Sequence, residues 1–254
     1  MIQAESGLEK TANITLAVEA IEGAAEQHLD LVMLPEAFMH DFGAPDTDLA
    51  AVAEPLDGPF VGALCEQARK HHTVVVAGMF ENGPDPAHAY NTVVVIGPAG
   101  GLITSYRKTH LYDSFGYRES DRLTAGDSGP VTFDVAGVTC GVMTCYDLRF
   151  PEFARKLIDA DAQALLVPAA WVRGPLKEDH WATLLRARAI ENTCYVLAAG
   201  QCGRTYIGCS MAVDPMGVVV AALGEQSGLA VADISADRVA AVRRTNPSLL
   251  NRLR

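Results

Sequence analysis

Gly141-Val142-Met143-Thr144-Cys145-Tyr146-Asp147-Leu148-Arg149-Phe150-Pro151-Glu152 changes character in its middle. An apolar run ends at a cysteine, polar residues follow, and a proline stands where a helix would begin. The pattern predicts a buried strand feeding a helix, with the Cys145 thiol at the turn between them. A thiol so placed lies at a sheet edge beside unpaired backbone N–H groups, which favour thiolate and can hold an oxyanion. Taken alone, a cysteine there is more often a small hydrophobe closing a core strand.

The same alternation recurs on both sides. Ile14, Val18, Ile21 and Ala25 fall at helical spacing over residues 11–29, and Asp30-Leu31-Val32-Met33-Leu34 then reads as a buried strand stopped by Pro35. A second helix over 59–71 leads into a strand at 73–78. Runs 91–96 and 102–107 flank Gly97-Pro98-Ala99-Gly100-Gly101 as a hairpin, and runs 131–135 and 138–144 meet at Ala136-Gly137 as another. Downstream come a helix at 152–160, a strand at 164–168, a helix at 177–192 and a strand at 194–199. Strands at 207–213, 218–223 and 229–234 close the chain, the first two joined by an Asp214-Pro215-Met216-Gly217 turn. With no linker, repeat or low-complexity tract, residues 1–254 read as one domain. Interleaved hairpins and helical crossovers imply an α/β layered sandwich of mixed sheets covered by helices.

Composition narrows the function. The chain has 254 residues, 49% hydrophobic and 20% charged, enough for a core that needs no staples. A net charge of -11 disfavours nucleic acid and anionic membrane as partners, so an anionic substrate would need locally placed Arg or Lys. Neither a basic-then-apolar leader nor an apolar run of about 18 residues is found, so a soluble cytoplasmic protein is expected. The six cysteines, mostly in apolar runs, read as reduced core residues. There is no C-x-x-C or H-E-x-x-H, no G-x-G-x-x-G or G-x-x-x-x-G-K, and no G-x-S-x-G. Metal, nucleotide and serine-nucleophile chemistry all lose their usual signatures.

Two further strand ends carry reactive groups. Leu31-Val32-Met33-Leu34-Pro35-Glu36 puts a carboxylate just past a buried strand, where partial desolvation suits a general base. Ser105-Tyr106-Arg107-Lys108-Thr109-His110-Leu111-Tyr112-Asp113 ends a strand with two cations, and an ammonium buried there would stabilise an anionic tetrahedral intermediate. Separately each reads as a surface Glu or a snorkelling Lys. Together with Cys145 they supply base, electrostatic stabiliser and nucleophile.

In order and spacing, Leu34-Pro35-Glu36, Arg107-Lys108-Thr109-His110-Leu111 and Thr144-Cys145-Tyr146-Asp147-Leu148-Arg149-Phe150-Pro151-Glu152 resemble the Glu, Lys and Cys motifs of the nitrilase, or carbon-nitrogen hydrolase, superfamily. Tyr117-Arg118-Glu119-Ser120, followed by Ala125-Gly126-Asp127, resembles its segment with a second active-site Glu, here Glu119. The resemblance implies a four-layer αββα sandwich and a cysteine-dependent amidase without metal or organic cofactor. In it Glu36 is the base, Cys145 attacks, and Lys108 with the Tyr146 backbone N–H holds the oxyanion.

Leu166-Val167-Pro168-Ala169-Ala170-Trp171-Val172-Arg173-Gly174-Pro175-Leu176-Lys177 follows a strand end, where a pocket wall would lie. Trp171 could bound an acyl chain, and Arg173 and Lys177 could pair with a carboxylate. Tyr112, Trp171, Arg173 and Lys177 are therefore the expected contacts of a small anionic amide. This stretch, with Thr193-Cys194-Tyr195 and Ala198-Ala199-Gly200-Gln201-Cys202-Gly203, is similar to the family branch that hydrolyses deaminated glutathione, N-(4-oxoglutaryl)-L-cysteinylglycine. An ω-amidase acting on 2-oxoglutaramate is the alternative. A papain-like pairing of Cys145 with His110 or His180 lacks its local signature, and an inactive partner-binding module would not need four such groups in register. The resemblance also implies a homodimer or larger homo-oligomer through the helices at 152–160 and 177–192. It further implies a first strand shortened to Met1-Ile2-Gln3, leaving a neighbouring strand's backbone groups exposed.

Overall fold

The computed structural model describes residues 1–253. Strands Leu31–Met33, Val74–Asp85, His88–Ile96 and Leu102–Arg107 form a four-stranded sheet in that order, the first pair parallel and the others antiparallel. Their side chains are apolar on both faces, so alternate residues enter different layers. Val32, Leu34, Val75, Ala77, Val94 and Ile96 pack with Ala17 and Ile21 of helix Lys10–Ala25 and with Leu64 and Ala68 of helix Pro59–His71. Met33, Val76, Val93, Val95 and Tyr106 face the opposite way and join the cluster containing Phe133, Cys140 and Val142 of the second sheet.

That second sheet has six strands, in the order Val219–Ala222, Met211–Val213, Tyr195–Gly200, Ala164–Ala169, Val138–Val142 and Val131–Val135. Its three central strands are parallel and its flanking pairs antiparallel. Helices Pro151–Asp159 and Lys177–Asn192 cover it through Phe153, Leu157, Trp181 and Leu185. Two mixed sheets face to face, each under its own helices, make the expected αββα sandwich. Ala164–Ala169 and Tyr195–Gly200 are buried at every position, which is why they read as continuous apolar runs rather than alternating ones.

The structure departs from the sequence reading in several elements. Val74–Asp85 and His88–Ile96 form a hairpin longer than the runs 73–78 and 91–96 suggest, because pairing continues where burial ends. Only Met211–Val213 of the run 207–213 is strand. Ile207, Gly208 and Cys209 donate instead to Trp171, Gln201 and Gly224 respectively, three partners in no common ladder. Of 229–234, Leu229 pairs in the ladder of Gly228–Leu229 with Ile2–Gln3 and Ala230 exchanges backbone hydrogen bonds with Met1, while Ala4 bridges Gln201. The short first strand thus meets backbone partners that the sequence reading did not anticipate. Helix Ala236–Thr245, capped by the Ser235 hydroxyl on Arg238 N–H, lies beyond any element expected from the sequence.

Candidate active site

Three strand ends of the two sheets converge at one edge. Glu36 follows Leu31–Met33 in a turn held to the neighbouring strand: Leu34 N–H donates to Val76, Gly78 N–H to Pro35, and Phe38 N–H to Gly78. Strand alternation separates the two cations at 107 and 108. Arg107 turns to Glu81, with Nε 2.9 Å from Oε2, and lies over the Tyr90 ring. Lys108 turns inward.

Lys108, Glu36 and Glu119 are 2%, 1% and 1% exposed. The Lys108 Nζ donates to Glu36 Oε1 at 2.9 Å and to both Glu119 oxygens at 3.0 and 2.8 Å. Asn91, unmarked in the sequence reading, donates Nδ2 to Glu36 Oε1 at 2.8 Å and to Glu119 Oε1 at 3.0 Å. Ala170 N–H holds the other Glu36 oxygen at 2.7 Å. Tyr112 N–H donates to Glu119 Oε2. Burial works against the Lys108 charge, but Glu119 and Glu36 outweigh it and hold its pKa well above the ordinary lysine value.

Cys145 opens a 3₁₀ turn, Cys145–Arg149, with φ of 45°, a left-handed conformation that a non-glycine residue adopts only when its surroundings enforce it. Asp147 supplies the enforcement. Its buried carboxylate accepts from Thr144 N–H at 2.8 Å, Tyr106 OH at 2.7 Å and His110 N–H at 3.1 Å, with His110 Nδ1 at 2.7 Å. His110 is thereby tied to Asp147 and stacked on Phe150, which removes it as a papain-like partner. Tyr146 N–H belongs to the first turn, whose donors lack intrahelical acceptors. Burial raises the Cys145 pKa well above that of an ordinary thiol, Glu36 raises it further, and Lys108 pulls only partly the other way.

These residues floor a cavity of about 510 Å³. Tyr112, Trp171, Arg173 and Lys177, the residues expected to contact a substrate, all line it. Lys177 Nζ donates to Tyr112 OH at 2.9 Å, and Trp171 Nε1 donates to the Lys177 carbonyl at 3.0 Å. Arg173 Nη2 lies 3.3 Å from Glu225 at the rim. Arg149 also lines the cavity, a role the sequence reading left unassigned. Its guanidinium sits 4.8 Å from the Trp171 ring, and its buried Nε and Nη2 have no hydrogen-bond partner among the described residues. The signal was a cation four residues after the cysteine, whose direction depends on the turn being 3₁₀.

The carbon-nitrogen hydrolase family pattern matches residues 1–244. This chain belongs to the carbon-nitrogen hydrolase family. As such a hydrolase it is 42% identical to a deaminated glutathione amidase of Escherichia coli O157:H7, over 96% of this chain and 92% of that one. It is 37% identical to the rat protein of that name, over 98% of this chain and 80% of that one. Among solved structures, it superposes on the NitFhit protein of C. elegans with a TM-score of 0.90 at 34% identity, over 99% of this chain and 63% of that one. The amidase of Nesterenkonia sp. AN1, a mutant of which was solved with acrylamide added at the active-site cysteine, matches with a TM-score of 0.83 at 28% identity, over 96% of this chain and 97% of that one. This hydrolase is accordingly a cysteine-dependent amidase. Among the described residues no helix is long and apolar enough to cross a membrane.

Proposed function

We propose that the enzyme hydrolyses deaminated glutathione to 2-oxoglutarate and cysteinylglycine, through a thioester on Cys145. Glu36 takes the thiol proton as Sγ attacks the amide carbon, and Lys108 Nζ with Tyr146 N–H receives the oxyanion. The intermediate collapses with Glu36 returning the proton to the departing amine. Water, deprotonated by Glu36, then attacks the thioester. The second intermediate expels Sγ, which regains a proton from Glu36, and the acid is released. Glu119 and Asn91 orient Lys108 and Glu36 between steps.

One observation carries this reading: buried Glu36, Lys108 and Glu119 meet Cys145 on the floor of a cavity that Arg149 also lines. A cation lining the cavity beside a thiol fits an amide bearing a carboxylate. The relatives named for deaminated glutathione support the substrate. The reading includes one domain over residues 1–254, residence in the cytoplasm, and a homodimer or larger homo-oligomer through Pro151–Asp159 and Lys177–Asn192. Exposed Ile190, Met216 and Val218 beside the second helix support the dimer.

Hydrolysis rates on deaminated glutathione and 2-oxoglutaramate, with Cys145→Ala as control, test the assignment. Preference for deaminated glutathione and an inactive but folded C145A are expected. A large preference for 2-oxoglutaramate overturns the substrate, and an active C145A overturns the nucleophile.

A further inference from the structure

We infer that Arg173 is the specificity residue for the leaving group, receiving the carboxylate at the end of the cysteinylglycine half while Arg149 and Lys177 receive the acyl half. This rests on the substrate reading above. After the thioester forms, the amine must depart and water must arrive at the same carbon. The leaving group therefore lies toward the cavity mouth and the acyl group inside.

The cations are arranged in that order. Lys177 is 5% exposed and lies 5.6 Å from the Trp171 ring, on which Arg149 also packs at 4.8 Å. The Arg173 side chain, two residues beyond Trp171, is 36% exposed at the rim. A substrate with an anionic group at each end meets one cationic position at depth and one at the opening.

Arg173 is also built to exchange partners. Its backbone N–H is fixed to Thr205 O at 2.9 Å, and Val172 bridges Tyr206 beside it, so the side chain leaves from an anchored segment. Among the described residues the guanidinium itself is held by Gly203 O at 3.3 Å from Nε, by Glu225 at 3.3 Å and by Glu178 at 4.0 Å. Both carboxylates are well exposed, and ion pairs of that kind hold weakly. A substrate carboxylate entering the mouth can displace Glu225 and take the planar fork in two hydrogen bonds. Ammonia, the amine released from a primary amide, offers nothing to that fork.

The test pairs Arg173→Gln with removal of the substrate charge, comparing deaminated glutathione with its glycinamide. In the wild type, amidation should lower kcat/KM by about tenfold, mainly through KM, the scale of one exposed charge-assisted contact. In R173Q the acid should already be about tenfold poorer, and amidation should cost little more. An amidation loss of equal size in wild type and R173Q, or no loss in the wild type, overturns the role of Arg173 while leaving the hydrolase reading intact. A wild type that hydrolyses neither compound overturns both.

Discussion

Gly78 lies directly against the peptide of Glu36: a Cβ at position 78 would stand 2.6 Å from Glu36 Cα. The same Cβ would reach Ala37 N at 2.5 Å, so only glycine lets the Glu36 turn seat on the neighbouring strand. Gly78→Ala must move that turn, and misplacing a reacting group by about 1 Å can cost about 100-fold in rate. Steady-state kinetics should show a kcat loss of that order with a lowered Tm. Wild-type kcat in G78A would mean that Glu36 is not the base.

Asn91 joins the two carboxylates from one amide, a contact no other side chain of its size and neutrality could make. Asn91→Leu leaves Glu36 and Glu119 each short of a donor in a buried site, at a cost of about 1–3 kcal/mol per unsatisfied group. Chemical denaturation should show destabilisation on that scale, and kcat should fall more than KM rises, because the loss is of alignment and not of substrate contact.

Glu36 raises the Cys145 pKa, so removing its charge has a defined sign. Glu36→Gln should lower the pH midpoint for alkylation of Cys145 by iodoacetamide, because the thiolate no longer faces a carboxylate. Amidase turnover should fall by about 10²–10⁴, the usual contribution of a positioned base. Lys108→Met should move the alkylation midpoint upward. Midpoints shifting in the opposite directions would contradict the arrangement.

Arg149 should show function opposing stability. Its buried Nε and Nη2 make no hydrogen bond to the described protein residues. Arg149→Met should leave Tm unchanged or raised, because the methionine removes unsatisfied donors while keeping contact with Trp171. It should lower kcat/KM for deaminated glutathione about 10–100-fold, the range for a hydrogen bond to a charged group. Paired melts and kinetics would check both halves.

Asp214 ties its turn to the C-terminal helix. It accepts from Met216 and Val218 N–H at 2.8 and 3.0 Å, and from Arg238 Nη2 at 2.6 Å. Burial raises its pKa, but Arg238 and those amides outweigh burial and hold it below the ordinary carboxylate value. A group depressed in the folded state stabilises above its unfolded pKa, about 4, and that stability is lost as pH falls through the lower folded value. Asp214→Asn should melt below the wild type at neutral pH, and the gap should close on acidification through that window.

Much of this site was legible because its candidate chemistry lies at the ends of strand-like runs. Glu36, Lys108 and Cys145 each follow such a run, and Glu119 lies in a segment that resembles its family counterpart. Asn91 was not legible, since an Asn inside a strand pattern carries no mark of its function until the fold sets two carboxylates beside it. Strand-like residues also misled: Ile207 to Cys209 have the composition of a strand, but each amide is claimed by a different neighbour. Helix Ala236–Thr245 escaped because its apolar residues, chiefly Val239 and Val242, are too few to stand out among charges.

The sequence by itself determined the α/β alternation, the motifs that carry the candidate reactive groups and the family, because periodicity and local motifs are properties of neighbours along the chain. Which of Arg107 and Lys108 enters the site was decided only by strand register, which sends consecutive side chains to opposite faces. The left-handed turn at Cys145 was decided by Asp147 binding groups from two separate segments. How far Lys177 and Arg173 are shielded from solvent around the cavity was likewise decided only by the tertiary structure. Charge is written in the sequence, but burial and partners are set where distant segments meet.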